Sequence, residues 1–227
     1  MPASRRVEKQ RRRREEILRS AAAAFRRKGY HGTSMDDISR DLLMTKGSLY
    51  YYFRSKEEIL YACHDRALRS VLGNLADIEA RKLRPDAALH ALIASHVEVM
   101  VNDLMASDMA IVVGALTPPL LRKVIAKRDR YEQGLRRVIE RGIDEGIFIP
   151  CDPRLVAFAI FGTINWVSKW YSPDGDLTAK QIGDAFGDYL VRGLVTEGRA
   201  AAPTPGRGAA LGRAGAPRRR PVGAPAP

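Results

Sequence analysis

From Arg14 onward, Ile17, Leu18, Ala21, Ala22 and Phe25 recur at three- and four-residue spacing until Gly29. That rhythm predicts an amphipathic helix stopped by glycine. Thr33 or Ser34 then caps a second helix, with Asp36 and Asp37 in its first turn, where the helix dipole favours anions, and Met35, Ile38 and Leu42 on its inner face. A third helix begins at Thr45 after very few linking residues. Ser55 opens a fourth, with Glu57 and Glu58 in its first turn and Ile59, Leu60, Cys63, Ala67, Leu68 and Leu72 along it. The helical rhythm continues near 86–105, 107–115, 119–145, 152–171 and 178–196. Pro85, Pro118-Pro119, Gly146, Pro150 to Pro153 and the run SPDGD interrupt it. No segment reads as a strand and no internal repeat is present, so the expected fold class is all-α.

The third helix raises a question of its own. In MTKGSLYYYFRSKEEIL, Met44 to Leu60, three tyrosines are adjacent, and helical side chains step about 100° apart, so the three rings cannot share one buried face. Taking Leu49 and Phe53 as the buried pair sets Gly47 and Tyr51 outward, Ser48 and Tyr50 on the flanks and Tyr52 at the core boundary. Such a face suits the DNA major groove. The missing side chain of Gly47 lets the backbone approach base edges, Lys46 can donate to guanine, and hydroxyls of Thr45, Ser48 and the tyrosines can reach phosphates. The helix before it would cross the backbone with Thr33 and Ser34 near phosphate, and Lys56 would add another phosphate contact. The competing reading is an aromatic helix buried against a partner domain. Lys46, Arg54 and Lys56 weigh against it, because protein-burying faces are depleted in lysine.

Charge strengthens the DNA reading once it is located along the chain. The net charge of the 227 residues is +12, yet residues 61–198 carry 17 Lys/Arg against 18 Asp/Glu. The excess lies at the ends, with 15 against 8 in residues 1–60 and 6 against none in 199–227. A basic end beside a near-neutral body implies a polyanionic partner. Residues 1–13 are expected to form a flexible basic arm, or one that becomes helical as the first helix begins, and the Ala/Gly/Pro/Arg tail 199–227 to be disordered. The chain has no run of 18 apolar residues and opens on charge, which predicts a soluble cytoplasmic protein without membrane insertion. Cys63 and Cys151 lie far apart, and His31, His64, His90 and His96 are scattered, so no metal site is expected. No nucleophile and base pair or Gly-rich phosphate loop is visible, and TKGS has Gly and Lys in the wrong order for one. The reading is therefore not an enzyme, with no catalytic residues and no cofactor.

The run GTSMDDISRDLLMTKGSLYYYFRSKEEIL, preceded by ILRSAAAAFRRKGY, closely resembles the N-terminal DNA-binding domain of TetR family transcriptional regulators. The resemblance implies a three-helix helix-turn-helix domain over 14–60, running into a connecting helix to about 74. A helical effector-binding and dimerisation domain over 75–198 would follow. It implies DNA contacts from Thr33, Ser34, Thr45, Lys46, Gly47, Ser48, Tyr50, Tyr51, Tyr52 and Lys56. It also implies a homodimer formed through helices 152–171 and 178–196, a contact that would bury Phe158, Ile160, Phe161, Ile164 and Trp166. The implied function is a repressor that leaves a palindromic double-stranded operator when a small molecule binds. One position departs from the family: Leu43 stands in the turn where a residue tolerant of positive φ is usual, so the turn is either strained or differently shaped.

Residues 128–148 and 164–186 look like a branch whose members respond to fatty acids or acyl-CoA. The implied effector contacts are Met100, Leu104, Met105, Met109, Val113, Phe158, Phe161, Asn165, Trp166 and Lys169, and many of the apolar ones could equally be plain core. Lys169, Arg122, Lys123 and Arg128 could serve CoA phosphates or be solvated surface. A drug, a steroid-like acid or a protein partner is the alternative effector.

Overall fold

Each short N-terminal helix is started by a side chain that satisfies otherwise orphaned backbone N–H groups. Ser34 accepts from the Asp37 amide while the Asp37 carboxylate accepts from the Ser34 amide, a reciprocal capping box. Thr45 accepts from the Ser48 amide and Ser55 from the Glu58 amide. The computed structural model describes residues 2–102, 113–172 and 174–196 and is all-helical apart from turns and one isolated bridge. In order it contains α1 (Pro2–Lys28), α2 (Met35–Asp41), α3 (Lys46–Tyr52), α4 (Lys56–Ala80) and α5 (Pro85–Asn102). After a 3-10 turn at Val113–Ala115 come α6 (Pro118–Asp144), α7 (Pro153–Trp170) and α8 (Ala179–Arg192). Thr45 is thus the cap of the third helix instead of its first turn.

Two expectations are corrected. The basic segment 1–13, expected as a flexible arm, is helical from Pro2 and forms the first half of the 27-residue α1. Charge pairs one helical turn apart support it: Glu8 with Arg11 and Arg12 at 2.9 and 3.1 Å, Glu15 with Arg11 at 3.4 Å and Glu16 with Arg13 at 2.6 Å. It also has tertiary anchors, since Gln10 donates to the Tyr51 hydroxyl at 3.1 Å and Arg14 to the Tyr52 carbonyl at 2.8 Å. The fourth helix extends past Leu72 to Ala80, because its apolar rhythm continues through Leu75 and Ile78. The tail 199–227, and most of the expected helix 107–115, lie outside the described residues.

The side chains divide into two cores. In the first, Ile17, Ala21 and Phe25 of α1, Ile38 of α2, Leu49 and Phe53 around α3, and Ile59, Leu60 and Cys63 of α4 enclose one another, joined by Leu116 just before α6 and Val124 within it. In the second, the rest of α4 and α6 packs with α5, α7 and α8. There α5 and α8 approach closely because α8 presents Gly183 and Gly187; a Cβ at Gly183 would sit 2.8 Å from the Ala94 carbonyl oxygen. The chain after α8 is sewn to the α6–α7 connection, with the Ile149 amide donating to the Leu194 carbonyl at 2.8 Å and the Thr196 amide to the Ile147 carbonyl at 3.0 Å.

The turn between α2 and α3 keeps left-handed geometry despite its residue: Leu43 has φ of +51° and a side chain 96% exposed. The Leu43 amide donates to the Arg40 carbonyl at 3.1 Å and the Met44 amide to the Ser39 carbonyl at 2.9 Å, bonds that end α2 and aim α3. The turn is therefore strained. Leu43→Gly is expected to raise unfolding free energy by about 1 kcal/mol, read as a higher denaturant midpoint at unchanged slope. Gly183→Ala should lower stability by roughly 1–3 kcal/mol because its Cβ meets backbone, whereas Gly73→Ala, with open space around it, should raise it by about 0.5–1 kcal/mol.

Candidate nucleic-acid interface and buried polar cluster

The caps that start α2 and α3 also set which side chains remain for a partner. Leu49 is fully buried, and the opposite face of α3 shows Lys46, Gly47, Ser48, Tyr50 (42% exposed) and Tyr51 (67%) to solvent. A Cβ at Gly47 would meet nothing within 4 Å, so that backbone is open to close approach. Tyr52 is half-buried and stacks edge-on against Tyr51, with ring centroids 5.1 Å apart. The Thr45 and Ser48 hydroxyls share a 2.8 Å hydrogen bond, and the Ser34 hydroxyl donates to Asp37 at 2.6 Å; all three stay exposed. Lys28 and Ser34 hold the Asp37 carboxyl well below the usual range. Lys46 forms an exposed ion pair with Asp36 at 3.0 Å, and the hydrogen bond within it raises the ammonium pKa. The lysine therefore stays charged and is steered by a side chain of α2.

Two of the residues expected at phosphates are engaged inside the protein. Thr33 is 1% exposed and its hydroxyl donates to the Ala24 and Gly29 carbonyls at 3.2 and 2.8 Å, tying the α1–α2 connection to the end of α1. Lys56 is half-buried, donating at 2.7 Å to both the Tyr30 and Thr33 carbonyls, with its ammonium 4.3 Å from the Tyr30 ring centre. The physical reason is shared: the last turn of α1 and the loop 29–34 present carbonyls to the interior, and these two side chains donate to them. Ser34, Thr45, Lys46, Gly47, Ser48, Tyr50 and Tyr51 remain as one exposed surface.

The residues expected at the effector separate in a similar way. Met100 is buried in the second core, and Phe161 packs on it half-buried. Leu104, Met105 and Met109 lie outside the described residues, and Val113 falls in the 3-10 turn. Phe158 (46% exposed), Asn165, Trp166 (65%) and Lys169 lie on the outer face of α7 instead of lining an interior. The inward stripe of that helix is Ala157, Ile160, Ile164 and Val167, which leaves no phase for the other four. Arg122 and Lys123 are exposed, while Arg128 is half-buried with its pKa lowered by burial.

Beside Phe161 lies a group that sequence reasoning does not bring together. The His96 ring meets Tyr131 edge-on at 5.1 Å and Phe161 at 5.9 Å, and Tyr131 lies 5.9 Å from Phe161. His96 is 9% exposed, its Nδ1 has no hydrogen-bond partner, and burial pushes its pKa down to about 4. Burial also drives the Tyr131 phenol upward. Neutral imidazole and neutral phenol thus share one aromatic cluster of α5, α6 and α7, a setting in which an unpaired polar atom is costly unless something bonds to it. His96 falls on the buried stripe of α5 with Leu89, Leu92, Ile93 and Val97, and a polar residue on such a stripe is the sequence signal that could have found it. A second buried histidine, His64 on α4, is held near pKa 4 by burial and by Arg128.

Residues 17–63 match the family model of bacterial regulatory proteins of the tetR family, and residues 82–194 match that of the tetracyclin repressor-like C-terminal domain. The TetR family regulator PfmR from Thermus thermophilus is 32% identical with a TM-score of 0.73, covering 78% of this chain and 97% of that one. The ketosteroid transcriptional regulator KstR2 of Mycobacterium tuberculosis is 28% identical with a TM-score of 0.74, covering 82% and 96%. AibR, solved in complex with isovaleryl coenzyme A and operator DNA, is 28% identical with a TM-score of 0.68, covering 79% and 98%.

His64 and His96 make folding sensitive to acid. Their folded pKa values near 4 lie below the unfolded value of 6.5, so the unfolded chain binds more protons in between. Stability should be fully present above pH 6.5 and fall as pH drops from 6.5 toward 4. Chemical denaturation at stepped pH should show this slope, and His64→Gln and His96→Gln should each flatten it.

Proposed function

Because the chain belongs to the TetR family of transcriptional regulators, we propose that it is a homodimeric repressor that holds a palindromic operator with two copies of α3 and releases it when an acyl-CoA or related lipid binds. The single observation that carries the DNA reading is the face of α3. Gly47 and Ser48, flanked by Lys46, Tyr50 and Tyr51, face solvent opposite the buried Leu49. Lys46 and Gly47 would meet bases, while Ser34, Thr45, Ser48 and the tyrosines would meet phosphate.

The dimer reading is supported by the outer faces of α7 and α8. Leu155, Phe158, Trp166 and Trp170 on α7 and Tyr189 on α8 are 46–70% exposed, more large apolar surface than two helices of a monomer normally leave in water. A four-helix contact with a second copy would cover it and set the spacing of two reading heads. Phe158 and Trp166 therefore belong to the proposed dimer contact instead of the effector site.

The effector would approach the His96–Tyr131–Phe161 cluster, next to Met100. Its polar groups are neutral, which suits a thioester carbonyl better than a free carboxylate, because an unpaired buried charge is far more expensive than a hydrogen-bonded carbonyl. The likeness to AibR with its isovaleryl coenzyme A supports the same class. The likeness to KstR2 favours a second reading, an effector derived from a steroid.

Selecting genomic fragments with the purified protein would supply the operator. On it, Lys46→Ala should reduce discrimination over random duplex by about tenfold or more, consistent with a base contact of roughly 1–3 kcal/mol. Equal weakening on all DNA would contradict base reading. Trp166→Glu should give a monomer in analytical ultracentrifugation and lose operator binding. Isovaleryl-CoA and longer acyl-CoAs should raise the melting temperature, and free acids should not. If only a steroid derivative or a cationic drug stabilises the protein, the acyl reading fails.

A further inference from the structure

Beside the reading face lies a groove of about 870 Å³ whose α1 wall the proposed operator contacts leave unused. One wall is the N-terminal half of α1, and the other is the end of α3, with Tyr51 and Tyr52 as its aromatic side. The lining from α1 includes Arg5, Arg6, Lys9, Arg12 and Arg13, together with Glu8, Gln10 and Glu16. Positions 5, 9, 12, 13 and 16 recur at helical spacing along one stripe of α1, with Arg6, Glu8 and Gln10 on its flanks.

The face is fixed relative to α3 by three contacts. Gln10 donates to the Tyr51 hydroxyl at 3.1 Å, Arg14 donates to the Tyr52 carbonyl at 2.8 Å, and the Arg14 guanidinium stacks 4.2 Å from the Phe53 ring centre. Tyr51 belongs to both surfaces, outward on α3 and lining the groove. The two acids are already committed: Glu8 pairs with Arg11 and Arg12, and Glu16 with Arg13. Among the described residues Arg5, Arg6 and Lys9 have no carboxylate partner, so three cations on this face await an anion.

We propose that this groove holds the phosphodiester backbone of duplex DNA flanking the operator half-site, with Arg5, Arg6 and Lys9 contacting successive phosphates. The inference rests on the reading of α3 as the major-groove helix. When α3 lies in a groove about 12 Å wide, an element fixed at its end and leading away must cross the strand that borders the groove. The stretch Pro2 to Arg13 covers about 18 Å at 1.5 Å per residue, long enough for one face of the helix to meet two or three phosphates of a strand whose neighbouring phosphates lie about 7 Å apart. Ordering by the ion pairs within α1 means that little conformational entropy is lost when DNA arrives. A flexible basic arm would add diffuse attraction; a docked helix adds contacts at fixed positions outside the sequence that α3 reads.

The test is the triple variant Arg5→Ala, Arg6→Ala, Lys9→Ala in the full chain on a selected operator. Alanine favours helix, and circular dichroism checks that α1 persists. The expected result has three parts. The slope of log affinity against log salt falls by about 0.9 for each phosphate that the variant helix no longer neutralises in each protomer. Hydroxyl-radical protection shortens at both outer flanks. The preference for operator over random duplex is retained. The charge-conserving variant Arg5→Lys, Arg6→Lys, Lys9→Arg should bind like the parent. An unchanged salt slope and unchanged protected length in the alanine variant would overturn the proposal while leaving the α3 reading intact, as would a charge-conserving variant as weak as the alanine one. Parent protein that protects no duplex sinks the reading of α3 and this proposal together.

Discussion

The constraint on which the rest of the molecule depends is that α4 and α6 each run through both cores and are joined along their length. α4 gives Ile59, Leu60 and Cys63 to the first core and Val71, Leu75 and Ile78 to the second. α6 gives Val124 to the first and Tyr131, Leu135, Val138 and Ile139 to the second. Between them Lys127 pairs with Asp65, the Thr117 amide donates to Glu57 at 2.6 Å, and Gly134 lies against Leu75 so closely that a Cβ would clash. Close-packed side chains of this kind shift together or not at all. Tyr131, in the buried aromatic cluster, and Val124, in the core beneath α3, lie about two helical turns apart on one face of α6. In the proposed function, movement forced at the first would reach the second along this face.

That geometry gives physical content to regulation. A ligand can change DNA affinity only through a difference in its own affinity for two arrangements of the protein. The aromatic cluster is suited to produce such a difference, because the His96 Nδ1 lacks a partner and a ligand that bonds to it gains what the empty arrangement forgoes. At the other end, each proposed reading head would present only a few side chains, whose placement depends on the α2–α3 turn and on the Lys46–Asp36 pair. A small rotation of the DNA-binding core relative to its counterpart in a dimer would mis-space two heads at once, which is why modest movements can have large effects on operator affinity.

Much of this is legible in the sequence, and the failures have specific causes. Caps and apolar spacing place α2 and α3 nearly to the residue, and the angular reading of α3 from Leu49 and Phe53 puts Gly47, Tyr50 and Tyr51 outside, where they are. Thr33 or Ser34 is legible as the cap of α2, and Ser34 takes that role, but that Thr33 is consumed by the Ala24 and Gly29 carbonyls depends on how α1 ends against α2, which no local pattern states. Lys56 escapes sequence reasoning for the same reason. Polarity makes residues 1–13 look unstructured, whereas the ion pairs within α1 and the contacts to Tyr51 and Tyr52 keep them helical. In α7 apolar residues occur on several sides, so sequence does not separate an effector wall from a dimer contact for Phe158 and Trp166, or a phosphate site from solvated surface for Lys169; all three, with Asn165, fall on the outer side. Histidine spacing addresses His96 only as a metal ligand. Its buried role appears once Tyr131 and Phe161 from other helices are seen beside it.

Coupling of the aromatic cluster to α3 through α4 and α6 is the claim on which regulation turns. The most direct measurement is the affinity of isovaleryl-CoA for the protein alone and for the protein saturated with operator duplex, both by isothermal titration calorimetry. Coupling predicts that DNA weakens the thioester by roughly 5- to 150-fold, and by linkage that the thioester weakens DNA by the same factor. Tight thioester binding with identical affinity in the presence and absence of operator would contradict it.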